Sequence, residues 1–177
     1  NPFLDVPDDA YYFDPVMWAV KNGVTVGSSA ITLSPNDPCT RAHAVTFLWR
    51  AYGSPEPTAT ENPFSDVSTD NYFYKAVLWA VEQGITLGTS ETTFSPNAPC
   101  TRAQIVTFLY RASKAASSGA GVNPFTDVSA DSYYYEAVLW AARAGITAGT
   151  SETTFSPNDP CTRGQIVTFL YRQLGQA

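Results

Sequence analysis

Thr101-Arg-Ala-Gln-Ile-Val-Thr-Phe-Leu-Tyr-Arg111 decides the fold of this chain, because nearly the same stretch occurs three times. It reads Thr-Arg-Ala-His-Ala-Val-Thr-Phe-Leu-Trp-Arg at 40–50 and Thr-Arg-Gly-Gln-Ile-Val-Thr-Phe-Leu-Tyr-Arg at 162–172. The starting positions 40, 101 and 162 lie 61 residues apart, and the surrounding sequence repeats in the same register. Such a fixed period is typical of proteins in which each repeat buries its apolar face against its neighbours.

The repeated stretch predicts a buried helix. Thr101 is a good N-cap residue, and Gln104 three residues later completes a capping box with it. The positions that follow are apolar on nearly every side, which is typical of a helix buried all round. We therefore predict that the segments starting at Thr40, Thr101 and Thr162 pack together as a central three-helix bundle.

A first helix is predicted ahead of the buried one in each repeat. In the second repeat Asp70 or Asn71 is placed to cap a helix that starts at Tyr72, and Gly84 suits the left-handed residue after its end. A polar loop follows, from which Phe94 is expected to pack onto the core. The predicted fold class is mainly α, with three helix-loop-helix repeats packed as a pseudo-threefold spindle around the central bundle.

Composition sets the domain limits and excludes several functions. We place the repeats at residues 1–53, 62–114 and 123–177, with linkers at 54–61 and 115–122 whose Pro, Ser and Gly content is typical of flexible connectors. No stretch approaches the roughly 20 apolar residues of a membrane span, so membrane insertion is not expected. The net charge of −6 argues against a nucleic-acid partner, which needs a basic face. No catalytic motif is present, so neither an enzyme nor a cofactor is predicted.

At this level the sequence resembles a known family, the S-layer homology domain. Each repeat carries Phe-x-Asp-Val, then a helix ending in Gly-x-Thr-x-Gly, then Ser-Pro-Asn-x-Pro-Cys-Thr-Arg. The resemblance implies a secreted module at the bacterial cell wall, a monomer of three repeats. It also implies binding of a secondary cell-wall polysaccharide, often one carrying ketal-linked pyruvate, in grooves between repeats. The glutamate that follows the family's Thr-Arg-Ala is replaced here by His43, Gln104 and Gln165.

One arginine at the start of each buried helix is the main candidate for ligand binding. These residues are Arg41, Arg102 and Arg163. A cation at this end of a helix opposes the helix dipole, so its recurrence calls for an explanation. A guanidinium beside free helix N–H groups makes an anion site, and its fork suits a carboxylate. The alternative is a structural ion pair with Asp5, Asp66 and Asp127, and both interpretations stay open at this point.

Other repeated positions complete the predicted site. The loop glycines Gly27, Gly88 and Gly149 are predicted to contact the ligand. Trp18, Trp79 and Trp140 are predicted to line the grooves as sugar platforms, with burial in the core as the alternative. A second arginine set, Arg50, Arg111 and Arg172, falls in the last helical turn, where we predict a structural role with terminal carbonyls.

The three cysteines occupy one repeated position, just before the Thr-Arg pair. Cys39, Cys100 and Cys161 are expected to be buried, reduced and free of metal, since an odd set at equivalent positions cannot complete a disulfide framework.

The predicted function is a non-catalytic anchoring module that binds an anionic cell-wall polysaccharide. The alternative is a protein–protein assembly or adhesion module that uses its tyrosine-rich surfaces.

Overall fold

The computed structural model describes residues 1–117 and 121–175, and within these ranges each repeat contributes two α-helices. The helices are α1 (Phe13–Lys21), α2 (Arg41–Ala51), α3 (Tyr74–Glu82), α4 (Arg102–Ser113), α5 (Tyr135–Arg143) and α6 (Arg163–Leu174). The predicted mainly α, three-repeat architecture is thus confirmed. None of these helices is long and apolar enough to cross a membrane.

The second helix of each repeat begins where the sequence places it. Thr101 accepts a hydrogen bond from the Gln104 amide (3.2 Å), and the Gln104 side chain accepts one from the Thr101 amide (3.0 Å). Thr162 and Gln165 form the same capping box. These bonds satisfy helix donors that would otherwise lack partners. The predicted caps of the buried helices are confirmed.

The first helix of the second repeat begins later than predicted. Residues 70–73 form a turn, and α3 starts at Tyr74 without a side-chain cap. Asn71 instead accepts a hydrogen bond from the Ser68 amide (2.7 Å), an interaction within the preceding turn. The predicted cap at Asp70 or Asn71 is therefore wrong: α3 has no side-chain cap, and the Asn71 side-chain oxygen closes the preceding turn. The helix end is as predicted, with Gly84 at φ +69°.

Helices pack mainly between repeats. The second helix of one repeat packs on the first helix of the next: α2 on α3, α4 on α5, and α6 back on α1. Helix α2 also contacts α4 and α6, so the second helices meet inside the molecule. Each repeat therefore completes its core with residues of its neighbours. The full pseudo-threefold spindle remains a prediction.

A closed ring of backbone hydrogen bonds joins the three repeats at the cysteines. The Cys39 amide donates to the Cys161 carbonyl (2.7 Å), Cys100 to Cys39 (2.8 Å), and Cys161 to Cys100 (2.9 Å). All three thiols are buried and free, and burial raises the pKa of Cys100 to about 12. Within the described ranges, no three or more His, Cys, Asp or Glu residues are grouped to hold a metal ion. The thiols are therefore protonated core groups.

The first linker, 54–61, is fixed to the protein surface. Trp49 Nε1 donates to the Pro55 carbonyl (2.8 Å), and Glu56 forms a salt bridge with Lys75 (2.7 Å). Thr58 hydrogen-bonds to Glu82 at the end of α3. These contacts fix the first linker to the surface, although its composition is typical of a flexible connector. Residues 118–120 of the second linker, and residues 176–177 of the third repeat, lie outside the described residues.

Gly164 in α6 gives a testable prediction about stability. Ala42 and Ala103 occupy the equivalent positions, where they are buried against the next repeat. A Cβ at Gly164 would lie 3.1 Å from the Pro35 carbonyl oxygen, which is a tight contact. The amides of Ala42 and Ala103 donate to the equivalent proline carbonyls, so the same backbone arrangement accommodates alanine in the other two repeats. Gly164→Ala should therefore raise stability by about 0.5–1 kcal/mol, through lower backbone entropy in the unfolded chain.

Thermal unfolding followed by circular dichroism measures this change. The midpoint should rise by about 1–4 °C, given the size of the chain. Ala103→Gly is the matched control and should lower the midpoint by a similar amount. A lower midpoint for Gly164→Ala would show that the third interface is tighter than the other two.

Candidate functional site

Two grooves with equivalent linings lie where all three repeats meet, with volumes of about 380 and 360 Å³. The first, the Arg163 groove, lies between the loop 25–28, helix α2, Tyr72 of the second repeat and Arg163 of the third. The second, the Arg102 groove, lies between the loop 147–150, α6, Tyr11 and Arg102. By the repeat register we name the third equivalent region, around Arg41 and Tyr133, the Arg41 groove; these two side chains interact electrostatically. Each of the first two grooves combines side chains from all three repeats.

The arginine of each groove is buried and crosses to the next repeat. Arg41, Arg102 and Arg163 are only 4–5% exposed. Their Nε–H groups donate to the carbonyls of Phe94 (2.8 Å), Phe155 (2.9 Å) and Leu33 (2.7 Å) respectively. The Arg41 guanidinium also lies over the rings of Phe94 (4.8 Å) and Phe108 (5.7 Å). The arginine therefore holds repeats together as well as facing the groove.

Among the described residues, the aspartates of the ion-pair alternative bind backbone amides and form no direct salt bridge with these arginines. Asp66 accepts hydrogen bonds from the amides of Phe94 and Ser95, both at 2.8 Å, and Asp5 and Asp127 make the same pair in their own repeats. In the described part of the chain no salt bridge joins any of the three aspartates to a groove arginine. Arg41 and Asp66 instead bind opposite sides of the same residue, Phe94. Two different repeats thus fix one loop.

One nitrogen of each groove arginine has no hydrogen-bond partner among residues 1–117 and 121–175. The Nη2 atoms of Arg41, Arg102 and Arg163 are buried and make no hydrogen bond with any described residue. Burial lowers the pKa of each guanidinium, yet arginine keeps its charge at any physiological pH. An unsatisfied buried donor costs about 1–3 kcal/mol, and more when it is charged. Nη2 is itself shielded from solvent, so it is the positive charge of the guanidinium that favours an anion in the groove.

A second arginine lines each described groove, a role that the sequence interpretation missed. Arg50 lines the Arg163 groove and Arg172 lines the Arg102 groove. The predicted structural contact is present in altered form: Arg172 Nη1 donates to the Ile146 carbonyl (3.0 Å), which follows the first helix of the repeat. The two arginines of one groove come from different repeats. No spacing in the sequence could have shown that they meet.

The predicted glycines shape the floor of the grooves. Gly27 and Gly149 line the two grooves, with φ values of +94° and +83°. A Cβ at Gly27 would lie 2.6 Å from the Phe3 ring. A Cβ at Gly88 would lie 2.5 Å from the Phe64 ring, and one at Gly149 would lie 2.6 Å from the Phe125 ring. Only glycine combines this backbone conformation with so close an approach. These residues therefore set the path of the loop beside the arginines, and their contact with a ligand remains a prediction.

No tryptophan lines either of the two described grooves, although Trp140 lines a separate pocket with Arg172. Trp18 packs on Tyr171 (5.9 Å between ring centroids), Trp79 on Tyr52 (5.8 Å) and Trp140 on Tyr110 (5.5 Å). These contacts lie between helices of adjacent repeats, which matches the core alternative. The exposed aromatic residues on the groove walls are Tyr72 and Tyr11, 58% and 63% exposed, beside the buried Phe47 and Phe169.

His43 distinguishes the Arg163 groove from the others. It lies on the groove wall, and its ring stacks near those of Phe47 (6.2 Å) and Tyr72 (6.4 Å). Its Nδ1 is buried without a partner in the described residues. Burial, and secondly the charge of Arg163, lower the pKa of His43. The equivalent residues Gln104 and Gln165 do not titrate, so this groove alone carries an ionisable residue at this position.

Comparison with known proteins identifies similar sequences. The S-layer homology domain matches residues 2–45, 63–106 and 124–167. An endoglucanase of Bacillus sp. (strain KSM-635) is 30% identical over 169 residues, which is 93% of this chain and 18% of that protein. A surface-layer 125 kDa protein of Lysinibacillus sphaericus is 36% identical over 104 residues, 56% of this chain and 9% of that protein. An S-layer protein of Bacillus thuringiensis subsp. finitimus is 25% identical over 171 residues, 95% of this chain and 21% of that protein. The chain therefore spans about a fifth or less of the length of these relatives.

Proposed function

This chain belongs to the S-layer homology domain family, and from that premise we propose that it anchors the protein that carries it to the bacterial cell surface. In this proposal the ligand is an anionic secondary cell-wall polysaccharide bound in the grooves between repeats. The module itself is non-catalytic. The same kind of segment occurs in an endoglucanase and in S-layer proteins, which favours a role independent of any one chemistry.

The presence of two arginines from different repeats in one groove is the observation that carries the proposal. In the Arg102 groove a buried guanidinium faces a second arginine, Arg172, within a chain whose net charge is −6. Two guanidinium groups concentrated in one groove favour an anion, and their planar forks suit the two oxygens of a carboxylate. Tyr11 adds an exposed aromatic face beside them, on which a sugar ring can pack.

Repetition of the groove supports a polymeric ligand. Three equivalent sets of arginine and tyrosine on one compact module can bind several units of the same chain or surface. Once one groove is occupied, the others bind at a high effective concentration, so overall avidity exceeds the affinity of each groove. A repeated surface polymer makes use of this arrangement, whereas a single small molecule does not.

Sedimentation with purified cell-wall sacculi tests the proposal. The protein should co-sediment with native sacculi and lose this binding after hydrofluoric acid removes the phosphate-linked polymer. Sacculi treated with buffer alone are the control. Equal binding before and after the acid treatment would contradict the proposal and favour the protein-assembly alternative.

His43 predicts a pH-dependent affinity for the Arg163 groove. The imidazole faces Arg163, Arg50, Asp37 and Tyr72, and its pKa is lowered in the free protein. A bound carboxylate stabilises the imidazolium and raises that pKa, so binding takes up a proton. Affinity should therefore rise as the pH falls from about 7.5 to 5.5, by about three- to tenfold at this groove.

The matched variant is His43→Gln, which restores the residue of the other two repeats. Titration with an acidic saccharide at both pH values should show the rise in the unaltered protein and a smaller change in the variant. The same pH dependence in both proteins would contradict a role for His43.

A further inference from the structure

One of the positions at which the three repeats differ lies beside the groove arginine. We propose that the Arg41 groove binds an anion more tightly than the Arg102 groove, and that Ala98 is the residue that makes the difference. The equivalent positions carry Asp159 and Asp37. The inference rests on the proposed function, because it ranks the same grooves by their affinity for an acidic sugar.

The structure places this position directly against the arginine of the preceding repeat. The Arg41 amide donates to the Ala98 carbonyl (2.9 Å), the Arg102 amide to the Asp159 carbonyl (2.9 Å), and the Arg163 amide to the Asp37 carbonyl (3.0 Å). Asp37 also lines the Arg163 groove together with that arginine. The backbone geometry is thus the same in all three copies, and the side chain at this position is what changes.

A carboxylate at this position competes electrostatically with the ligand. Burial is the main influence that lowers the pKa of Arg102 and of Arg163, while Asp159 and Asp37 respectively act against it. Among the described residues, Asp66 is the carboxylate that raises the pKa of Arg41. Its counterparts Asp127 and Asp5 have the same effect on Arg102 and Arg163. Arg41 therefore has one carboxylate fewer acting on it than Arg102 or Arg163 has.

The Arg102 groove offers the best comparison. Its helix carries Gln165 where the Arg41 groove has Gln104, and both grooves have a tyrosine and a second arginine from equivalent positions. The Tyr133 phenol lies near Arg111 and Arg41, as Tyr11 lies near Arg172 and Arg102. The Arg163 groove differs additionally at His43, so its affinity does not isolate the effect of residue 98.

The charge difference predicts a moderate change in affinity. A unit charge roughly 8 Å from the ligand, at an effective dielectric of about 40, changes the binding free energy enough for about a fivefold difference in Kd. The effect should weaken at high salt, because the aspartates are exposed and their field is screened. Binding to the Arg41 groove should therefore saturate first as the ligand concentration rises.

Nuclear magnetic resonance titration can report each groove separately through the backbone amides of Arg41, Arg102 and Arg163. The probe is a methyl hexoside carrying a 4,6-linked pyruvate ketal, and the 4,6-ethylidene acetal of the same sugar is its uncharged counterpart. We expect the Arg41 amide to titrate at about fivefold lower concentration than the Arg102 amide. The uncharged sugar should remove the difference between grooves.

Matched variants test whether residue 98 is responsible. Ala98→Asp recreates the Ser-Pro-Asn-Asp-Pro-Cys loop of the other repeats, so the fold accommodates it, and it should weaken the Arg41 groove about fivefold. Ala98→Asn controls for size without charge and should leave the affinity nearly unchanged. Asp159→Ala should strengthen the Arg102 groove to a similar extent.

The outcomes separate this inference from the proposed function. Equal midpoints in the unaltered protein, or equal effects of Ala98→Asp and Ala98→Asn, would overturn the ranking of the grooves while leaving anion binding intact. The absence of any shift with the charged sugar in all three grooves, together with failure of the unaltered protein to bind native sacculi, would instead overturn the proposed function.

Discussion

The triple variant Arg41→Lys, Arg102→Lys, Arg163→Lys should lose most of its binding to cell-wall sacculi while its helical circular dichroism spectrum persists. A lysine keeps the charge and can donate to the carbonyl that the arginine Nε–H now binds. A single ammonium cannot at the same time present a planar fork to the groove. Charge-assisted hydrogen bonds contribute about 1.5–3 kcal/mol each, so each groove should weaken by about ten- to a hundredfold.

The structure explains why lysine is a better test than alanine. Arg41 donates to Phe94 of the next repeat and packs over two phenylalanine rings, so Arg41→Ala would remove contacts that hold the repeats together. Loss of binding by such a variant would have two explanations. Arg143→Lys is the control for the substitution itself, since Arg143 lies outside both repeated arginine sets. Undiminished binding by the triple lysine variant would refute the arginine hypothesis.

Leu109→Ala should lower the free energy of unfolding by about 2–5 kcal/mol, as truncation of a buried leucine usually does. Leu109 lies in α4 and is only 1% exposed. The cost combines the lost transfer free energy of the side chain with the cavity that remains, because a packed core relaxes only in part. Denaturant unfolding followed by circular dichroism measures the change.

Leu87→Ala is the matched control for Leu109→Ala. Leu87 is 77% exposed, so the same chemical change should alter the unfolding free energy by about 0.5 kcal/mol or less. Similar losses for the two variants would mean that α4 does not lie at the centre of a shared core. A large loss for Leu109→Ala alone would support the interior position of α4.

Local interactions account for the features that the sequence predicted correctly. The Thr101–Gln104 capping box involves residues three positions apart, and Gly84 ends its helix through its own backbone conformation. The all-round apolarity of residues 105–109 was enough to predict burial, because a helix with no polar face has no stable place at the surface. The predicted cap of the first helix was wrong for a local reason as well. The Asn71 side chain accepts a hydrogen bond from the Ser68 amide and not from an amide at the start of the helix.

The candidate site was predicted only in part. The groove arginines and loop glycines were identified from their recurrence at a fixed register, and the structure places Arg163 with Gly27 and Arg102 with Gly149. The second arginines were assigned a structural role alone, and the tryptophans were given a place in the grooves where the structure has tyrosines. Recurrence shows that a residue has a role in every repeat, but it does not show which direction its side chain faces.

By itself the sequence determined the number of repeats, the buried second helices and the residues that recur, because period, capping and apolarity are properties of neighbouring residues. Only the tertiary structure decided which recurring residues share a groove. Arg163 donates to Leu33, 130 positions away, and its groove takes Arg50 from the first repeat and Tyr72 from the second. Hydrophobic burial is not directional, so a given repeat pattern is compatible with several arrangements of its units. The backbone ring at the cysteines and the bonds from each arginine to the next repeat select the one observed.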